Sequence, residues 1–343
     1  MSLPPIEIPL GAIRFNSDSQ KLEYWIGDAW MQVKTFTPNL DGGARGLIMG
    51  GSYSSPGPGT HNQITFVTIP TAGDSTDFGD LTHTTRDGGS CASRTRGLYR
   101  FGTGPGDIND NVDFVTIASI GNAQDFGDLL NPKDNMMSKN GSSTRMLICG
   151  GRDYTPSATV TNVIEFITIA TTGNSADFGD MTQARYAGTG CSSATRGVIA
   201  GGQTPTYVNT IDFVTIATTG NATDFGNLTF ARVGATGCAS ATRGLFMGGR
   251  VAPNNKSEID YITIASTGNA LDFGDLQQQR IQASATASQT RGVHIGGNPG
   301  SSPNNFTNMQ FVTIASLGNA SDFGDTFAAR SRRSASDCHG GLS

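Results

Sequence analysis

The sequence contains no apolar run approaching the roughly 18 to 20 residues that cross a bilayer. Its first residues, MSLPPIEIPLGAIRF, lack the basic region and long apolar core of a signal peptide. The expectation is a chain made soluble in the cytosol, with no membrane insertion. Charge is also scarce: Asp, Glu, Lys and Arg make up 15% of the 343 residues and the net charge is -5. Such a chain has no broad basic surface to release counterions from DNA or RNA, so nucleic acid is not an expected partner. There are four histidines, His61, His83, His294 and His339, at unrelated places, and no Ser, His and acid set or paired-carboxylate motif accompanies them. No catalytic residue is therefore expected. Five cysteines show no CxxC or Cys/His spacing, which argues for small buried thiols rather than a metal site, a disulfide or a cofactor.

What the chain has in quantity is glycine, 46 residues, with abundant Thr, Ser, Asn and Asp. Gly and Asx residues supply the left-handed and side-chain-capped geometries of tight turns, so many short strands are expected rather than helices. Self-alignment gives one block six times, anchored by DFG at Asp77, Asp125, Asp177, Asp224, Asp272 and Asp322, 47 to 52 residues apart. An apolar strand precedes each DFG (TFVTIPT, DFVTIAS, EFITIAT, DFVTIAT, DYITIAS, QFVTIAS). Each block also carries an R-G-apolar-GG strand, such as TRGLFMGG from Thr242, which most copies precede with a small-residue segment such as RVGATGCASA. A period near 50 with three or four short strands is a propeller-blade period.

The fold class expected is all-β, a six-bladed β-propeller over 42–343. Each blade runs from the small-residue strand near the axis, through the RGL strand and the (F/Y)(V/I)TIA strand, to an outer GNxxDFGDL segment. The first block begins inside its RGL strand and the last ends with its small-residue segment, ARSRRSASDCHG. Pairing these complementary fragments would close the ring and remove exposed sheet edges, placing Ile48 beside Ala335.

Six arginines (Arg45, Arg96, Arg145, Arg196, Arg243, Arg291) and the six DFG aspartates recur in register. A charge repeated in every blade reads as a structural pair or an Arg to backbone-carbonyl contact rather than as a ring of ligand sites. The DFG phenylalanines are expected to wedge between blades. G-N-x-x-D-F-G-D lacks the closely spaced, alternating carboxylates of calcium loops, so no metal is assigned to it. Variation concentrates in the loops after each GG, which repeat geometry sends to one face. Tyr53, His61, Tyr154, Tyr207 and Phe306 are the candidate binding residues there, suited to stacking.

Residues 1–41 stand outside the repeat. GAIRFNSDSQKLEYWIGDAWMQV reads as three strands with turns at NSDSQ and IGD, a small N-terminal β-hairpin segment. It is too short to bury a core, yet it holds both tryptophans. Phe15, Tyr24, Trp25 and Trp30 are therefore candidate attachment or oligomerisation residues, docking on the propeller, on identical copies or on another subunit.

G-A-I-R-F-N-S-D-S-Q-K-L-E-Y-W-I-G-D-A-W resembles a motif of virion structural and tail-fibre proteins of tailed bacteriophages, particularly those of cyanobacteria. The repeats resemble the kelch superfamily, with its glycine pair after the second strand. Together these resemblances imply a non-enzymatic virion protein of tail, fibre or capsid surface, made in the host cytoplasm. The hairpin would attach it to other virion proteins, and the kelch-like propeller would offer a surface to a host glycan or protein. Phage fibres imply a homo-oligomer, often a trimer. The alternatives are a carbohydrate-active or oxidative propeller enzyme, marked by carboxylates or His/Tyr ligands at the axis, and a cellular kelch-type scaffold.

Overall fold

A computed structural model describes residues 8–17, 21–32, 42–53, 59–104, 108–300, 305–329, 331, 334 and 335. The chain divides into two compact units, Met1–Asn39 and Leu40–Ser343. The described residues form strands and turns with no helix, in small antiparallel sheets.

In the first unit, β1 (Ile13–Asn16), β2 (Lys21–Trp25) and β3 (Trp30–Gln32) form one meander. Its register sets Ile13 against Tyr24 and Phe15 against Leu22, then Tyr24 against Met31 and Trp25 against Trp30. Successive side chains of a strand point to opposite faces. Phe15 and Tyr24 therefore share one face and Trp25 and Trp30 the other, so the four expected attachment residues do not form one patch. On the tryptophan face Arg14 and Asn16 both donate to the Glu23 carboxylate, at 2.9 and 3.0 Å. The Arg14 guanidinium also lies 4.1 Å from the Trp30 ring centre.

The second unit repeats one sheet six times. The fourth copy shows the pattern: Thr189–Ser192, Arg196–Ala200, Thr210–Thr215 and Thr223–Asn227, side by side in that order. The third strand begins earlier than its sequence motif suggests and ends at Thr, because the following Ile and Ala form a turn. Its burial alternates around a buried acid, Asp212, and a bulge shifts its register against the outer strand. The first sheet is assembled from both ends of the repeat region. Ser334–Ala335 pairs with Arg45–Met49, setting Ser334 opposite Met49 and Ala335 opposite Ile48, the two positions expected to be neighbours.

Consecutive sheets are joined by bonds that recur copy after copy. Each RG arginine donates to a carbonyl of the turn after the next sheet's third strand, from Arg45 to Ile117 through Arg243 to Ile314, at 2.8 to 3.1 Å. Arg291 of the sixth sheet donates to Ile69 and Pro70 of the first. Each of these guanidinium groups also lies 4.4 to 4.8 Å over the aromatic ring of its own third strand. That ring meets the DFG phenylalanine edge-on, with centres 5.8 to 6.2 Å apart. Fully burying a DFG ring is worth about 2 to 3 kcal/mol. All six are buried.

The GNxxDFGD segment is a latch. The turn glycine N–H (Gly121, Gly173, Gly220, Gly268, Gly318) donates to the DFG phenylalanine carbonyl of the preceding sheet, and Gly73 does so to Phe323 of the sixth, at 2.7 to 2.9 Å. The asparagine beside it, such as Asn174 or Asn221, accepts the amide of the residue after FG, Asp128 or Asp180, at 3.0 to 3.1 Å. The DFG aspartates themselves are exposed. They do not pair with the recurrent arginines, which are occupied by carbonyls.

The small-residue strands of successive sheets lie beside one another, and Ser334–Ala335 lies beside both Gly89–Ala92 and Ser284–Ala287. One apolar cluster joins Val293 and Ile295 of the sixth sheet to Ile48, Val67 and Ile69 of the first. Cys91, Cys149, Cys191 and Cys238 are buried and form no disulfide.

Candidate functional site

Five residues with left-handed backbone, Asp87, Asn135, Ala187, Gly234 and Gln282, occupy equivalent places in consecutive copies, with φ between 49° and 63°. They line one pocket. The corresponding position of the last copy, 332, lies outside the described residues. Non-glycine residues adopt this conformation at a cost of roughly 1 kcal/mol each. Part of that cost is offset by a chain of backbone bonds: Ala187 N–H donates to the Asn135 carbonyl, Gly234 to Ala187 and Gln282 to Gly234, at 2.8 to 3.0 Å.

The post-GG loops start beside this pocket. Gln203, Arg250 and Asn298 form bridges with Tyr186, Val233 and Ile281, each the residue just before a left-handed one. Thr103 bridges Arg86 in the same way, and Ser52 bridges Ser331. Of the five candidate loop residues only Tyr53 and His61 meet, edge-on with centres 5.7 Å apart. Tyr154 donates its hydroxyl to Asp134, which also holds Arg152 through two bonds at 2.9 and 3.0 Å. Phe306 lies under the Arg280 guanidinium, 4.2 Å from its carbon, and Tyr207 sits in a two-residue strand of its own loop. The five residues therefore occupy four separate stations in their loops, and none of them lines the pocket itself. Residues 54–58, 105–107 and 301–304 of these loops lie outside the described residues.

A second series of charges escaped the motif reading. The buried acid one residue ahead of the third-strand aromatic (Asp113, Glu165, Asp212, Asp260) accepts a backbone N–H from the end of the preceding sheet's outer strand or the turn that follows it. The donors are Thr82, Leu130, Thr182 and Thr229, at 2.8 to 3.2 Å. Three of these acids also meet a buried base from the preceding copy: Lys133 with Glu165, Arg185 with Asp212 and Arg232 with Asp260. A lysine meets the longer acid where arginine meets the shorter one. In the sixth sheet the place of the acid is taken by Gln310; Arg280 bonds the Gly296 and Asn308 carbonyls at 3.0 and 3.3 Å, as Arg232 bonds those of Gly248 and Glu258, and gives its other nitrogen to the Gln278 and Asn308 side chains.

Two buried polar residues break the repeat. The third sheet's first strand, Met137–Gly141, carries a register shift between Met137 and Asn140, and Lys139 within it has φ 81°. Its ammonium donates to Thr236 Oγ1 at 3.1 Å and to the Ala285 carbonyl at 2.7 Å, in the first strands of the fifth and sixth sheets. It therefore crosses the space where the small-residue strands meet, and these bonds tie three sheets together. His294 stands where the other sheets have Ile48, Tyr99, Ile148, Ile199 and Phe246. Neither of its ring nitrogens has a hydrogen-bond partner. Burial, with Arg280 and Lys139 nearby, holds its imidazole well below the ordinary value.

His294 is thus neutral in the folded protein while the unfolded chain takes up a proton near pH 6.5. Its contribution to stability is flat above that pH and falls below it, by up to about 1.4 kcal/mol per pH unit. His294→Phe, which copies Phe246 of the fifth sheet, is expected to raise the thermal midpoint and remove that part of the loss between pH 7 and 5. Equal midpoint losses in variant and parent would refute this.

Among the described residues no cluster of three or more His, Cys, Asp or Glu side chains is arranged to hold a metal ion. No protein-family model and no curated protein sequence matches this chain.

Proposed function

We propose that the six sheets are blades of a closed, kelch-like six-bladed β-propeller, and that the chain is a non-enzymatic virion component whose pocket-and-loop face binds a glycan or protein of the host surface. The ring reading is supported by the arginine bonds, the GN latches and the apolar contacts, each of which also links the sixth sheet to the first.

The observation that carries the binding reading is a division of labour. Recurrent arginines, GN turns and buried acid–base pairs are engaged in joining sheets, whereas the variable residues lie in loops whose first residues bridge to positions at one pocket. Backbone held in a costly conformation at that pocket is the kind of strain that marks ligand sites. The aromatic stations in these loops, Tyr53 with His61, Tyr186 under Arg152, and Phe306, suit the apolar faces of sugar rings or an aromatic hot spot. The enzyme alternative would be marked by carboxylates or His/Tyr ligands at the axis; the buried polar residue that reaches across the small-residue strands is Lys139, bonded to Thr236 and Ala285.

The assignment to a phage particle rests on the resemblance of Gly11 to Trp30 to virion structural proteins, with the N-terminal sheet as the assembly device. Quantitative mass spectrometry of gradient-purified particles tests it. The chain is expected at a fixed copy number per particle. Recovery only from the particle-free fraction would overturn the reading in favour of a cellular scaffold.

A further inference from the structure

The N-terminal sheet has one finished face and one unfinished face. Arg14, Asn16 and Glu23 satisfy one another beside Trp25 and Trp30, whose ring centres are 5.4 Å apart. The opposite face is continuous by register: Phe15 beside Leu22, and Ile13 beside Tyr24 beside Met31. It carries no charge, and all five side chains are exposed, Ile13 and Phe15 each to 65%. A contiguous apolar face left in water marks an interaction surface.

We propose that this face packs against the same face of a second copy of the chain, the two sheets forming a β-sandwich about 10 Å thick. Three features select that occupant. The face has no charge of either sign, so it recognises an apolar, uncharged surface. The described large apolar residues exposed on the second unit, Ile120, Leu130, Val160, Leu271, Leu317 and Phe327, fall on separate elements of the second, third, fifth and sixth copies, so no described strand of that unit presents a row of them. A flat, uncharged face meets its own copy with no like charges opposed, which is what an isologous two-fold contact requires. The proposal deepens the assembly role given above to this segment but rests on the sheet alone. A dimer found free of particles would sustain it while overturning the particle reading.

The full chain, Phe15→Glu, Met31→Glu and the opposite-face control Gln32→Glu are compared by sedimentation equilibrium. Emission of the chain's two tryptophans, both on the finished face, reports whether the sheet stays folded. The parent is expected at twice the 35.8 kDa chain mass at about 10 µM. Either apolar-face variant that keeps the tryptophan signal should weaken association by about 100-fold or more, and Gln32→Glu should leave it unchanged. A parent of single mass, a three-copy mass, an assembly indifferent to both apolar-face variants, or equal dissociation by Gln32→Glu would each overturn it.

Discussion

Gly127→Ala is expected to destabilise the second unit by about 3 to 5 kcal/mol, among the largest effects of any single methyl group in this chain. Gly127 has φ 145°, a region that side chains with a Cβ rarely enter. A Cβ built there would lie 2.6 Å from both the carbonyl carbon and the oxygen of Gly173 and 3.0 Å from the Asn174 nitrogen. All three are backbone atoms of the next sheet's turn, and neither side is free to retreat. Gly173 N–H is bonded to Phe126 and Ser175 N–H to Asp128, both at 2.8 Å, and the Asn174 side chain accepts the Asp128 amide. The two sheets must separate or the outer strand must twist, and either change breaks the latch. Gly121→Ala is the control, because an added Cβ there meets nothing within 4 Å; its effect should stay within about 0.5 kcal/mol. Denaturant midpoints at constant slope read both, and equal midpoints for the two variants would refute the latch.

Asp212→Ala is expected to cost a comparable 3 to 5 kcal/mol, through charge rather than space. Arg185 and Asp212 are both fully buried and meet at 3.1 Å, and the same carboxylate accepts the Thr182 amide at 3.2 Å and its hydroxyl at 2.7 Å. Burial already lowers the Arg185 pKa, with Asp212 opposing the shift. Truncating the acid leaves a guanidinium in a dry interface and two donors of the preceding copy without an acceptor. Asp212→Asn keeps an acceptor oxygen and should cost about half as much. The chain itself contains this gentler case: Gln310 accepts the Gln277 amide at 2.9 Å, while Arg280 bonds the neutral Gln278 and Asn308 side chains at 3.0 Å. Thermal unfolding of the three proteins should rank them parent, Asn, Ala. An Asn variant as damaged as Ala would mean that the charge, not the acceptor, is what the interface needs.

Much of this was legible in the sequence because it repeats. The RGL strand, the aromatic strand and DFG gave the strand order, and the identical recurrence of Arg45 and its five counterparts pointed to a structural pair or a carbonyl contact, of which the second is found. The acid–base pairs were less visible. Asp212 and its partner Arg185 belong to different copies, so aligning a copy with itself does not set them together. The lysine–glutamate version in the second and third copies also changes both members at once. The pocket could not be read, because four of its five left-handed residues are Asp, Asn, Ala and Gln, without the glycine that signals such a backbone. Nor could the reach of Lys139, which depends on a bulge local to one strand. In the N-terminal sheet the aromatic residues were evident, but which of them share a face depends on the turn lengths that set the register: Phe15 and Tyr24 on one side, Trp25 and Trp30 on the other.

The claim on which the rest depends is that the sixth sheet is latched to the first as firmly as the second is to the third, and Gly324→Ala measures this most directly. A Cβ at Gly324 would lie 2.5 Å from the Gly73 carbonyl oxygen, the contact that joins the last copy to the first. In a closed ring its denaturant midpoint falls as far as that of Gly127→Ala. A midpoint within about 0.5 kcal/mol of the parent, with Gly127→Ala still severe, would mean an open array with free ends and would contradict the ring.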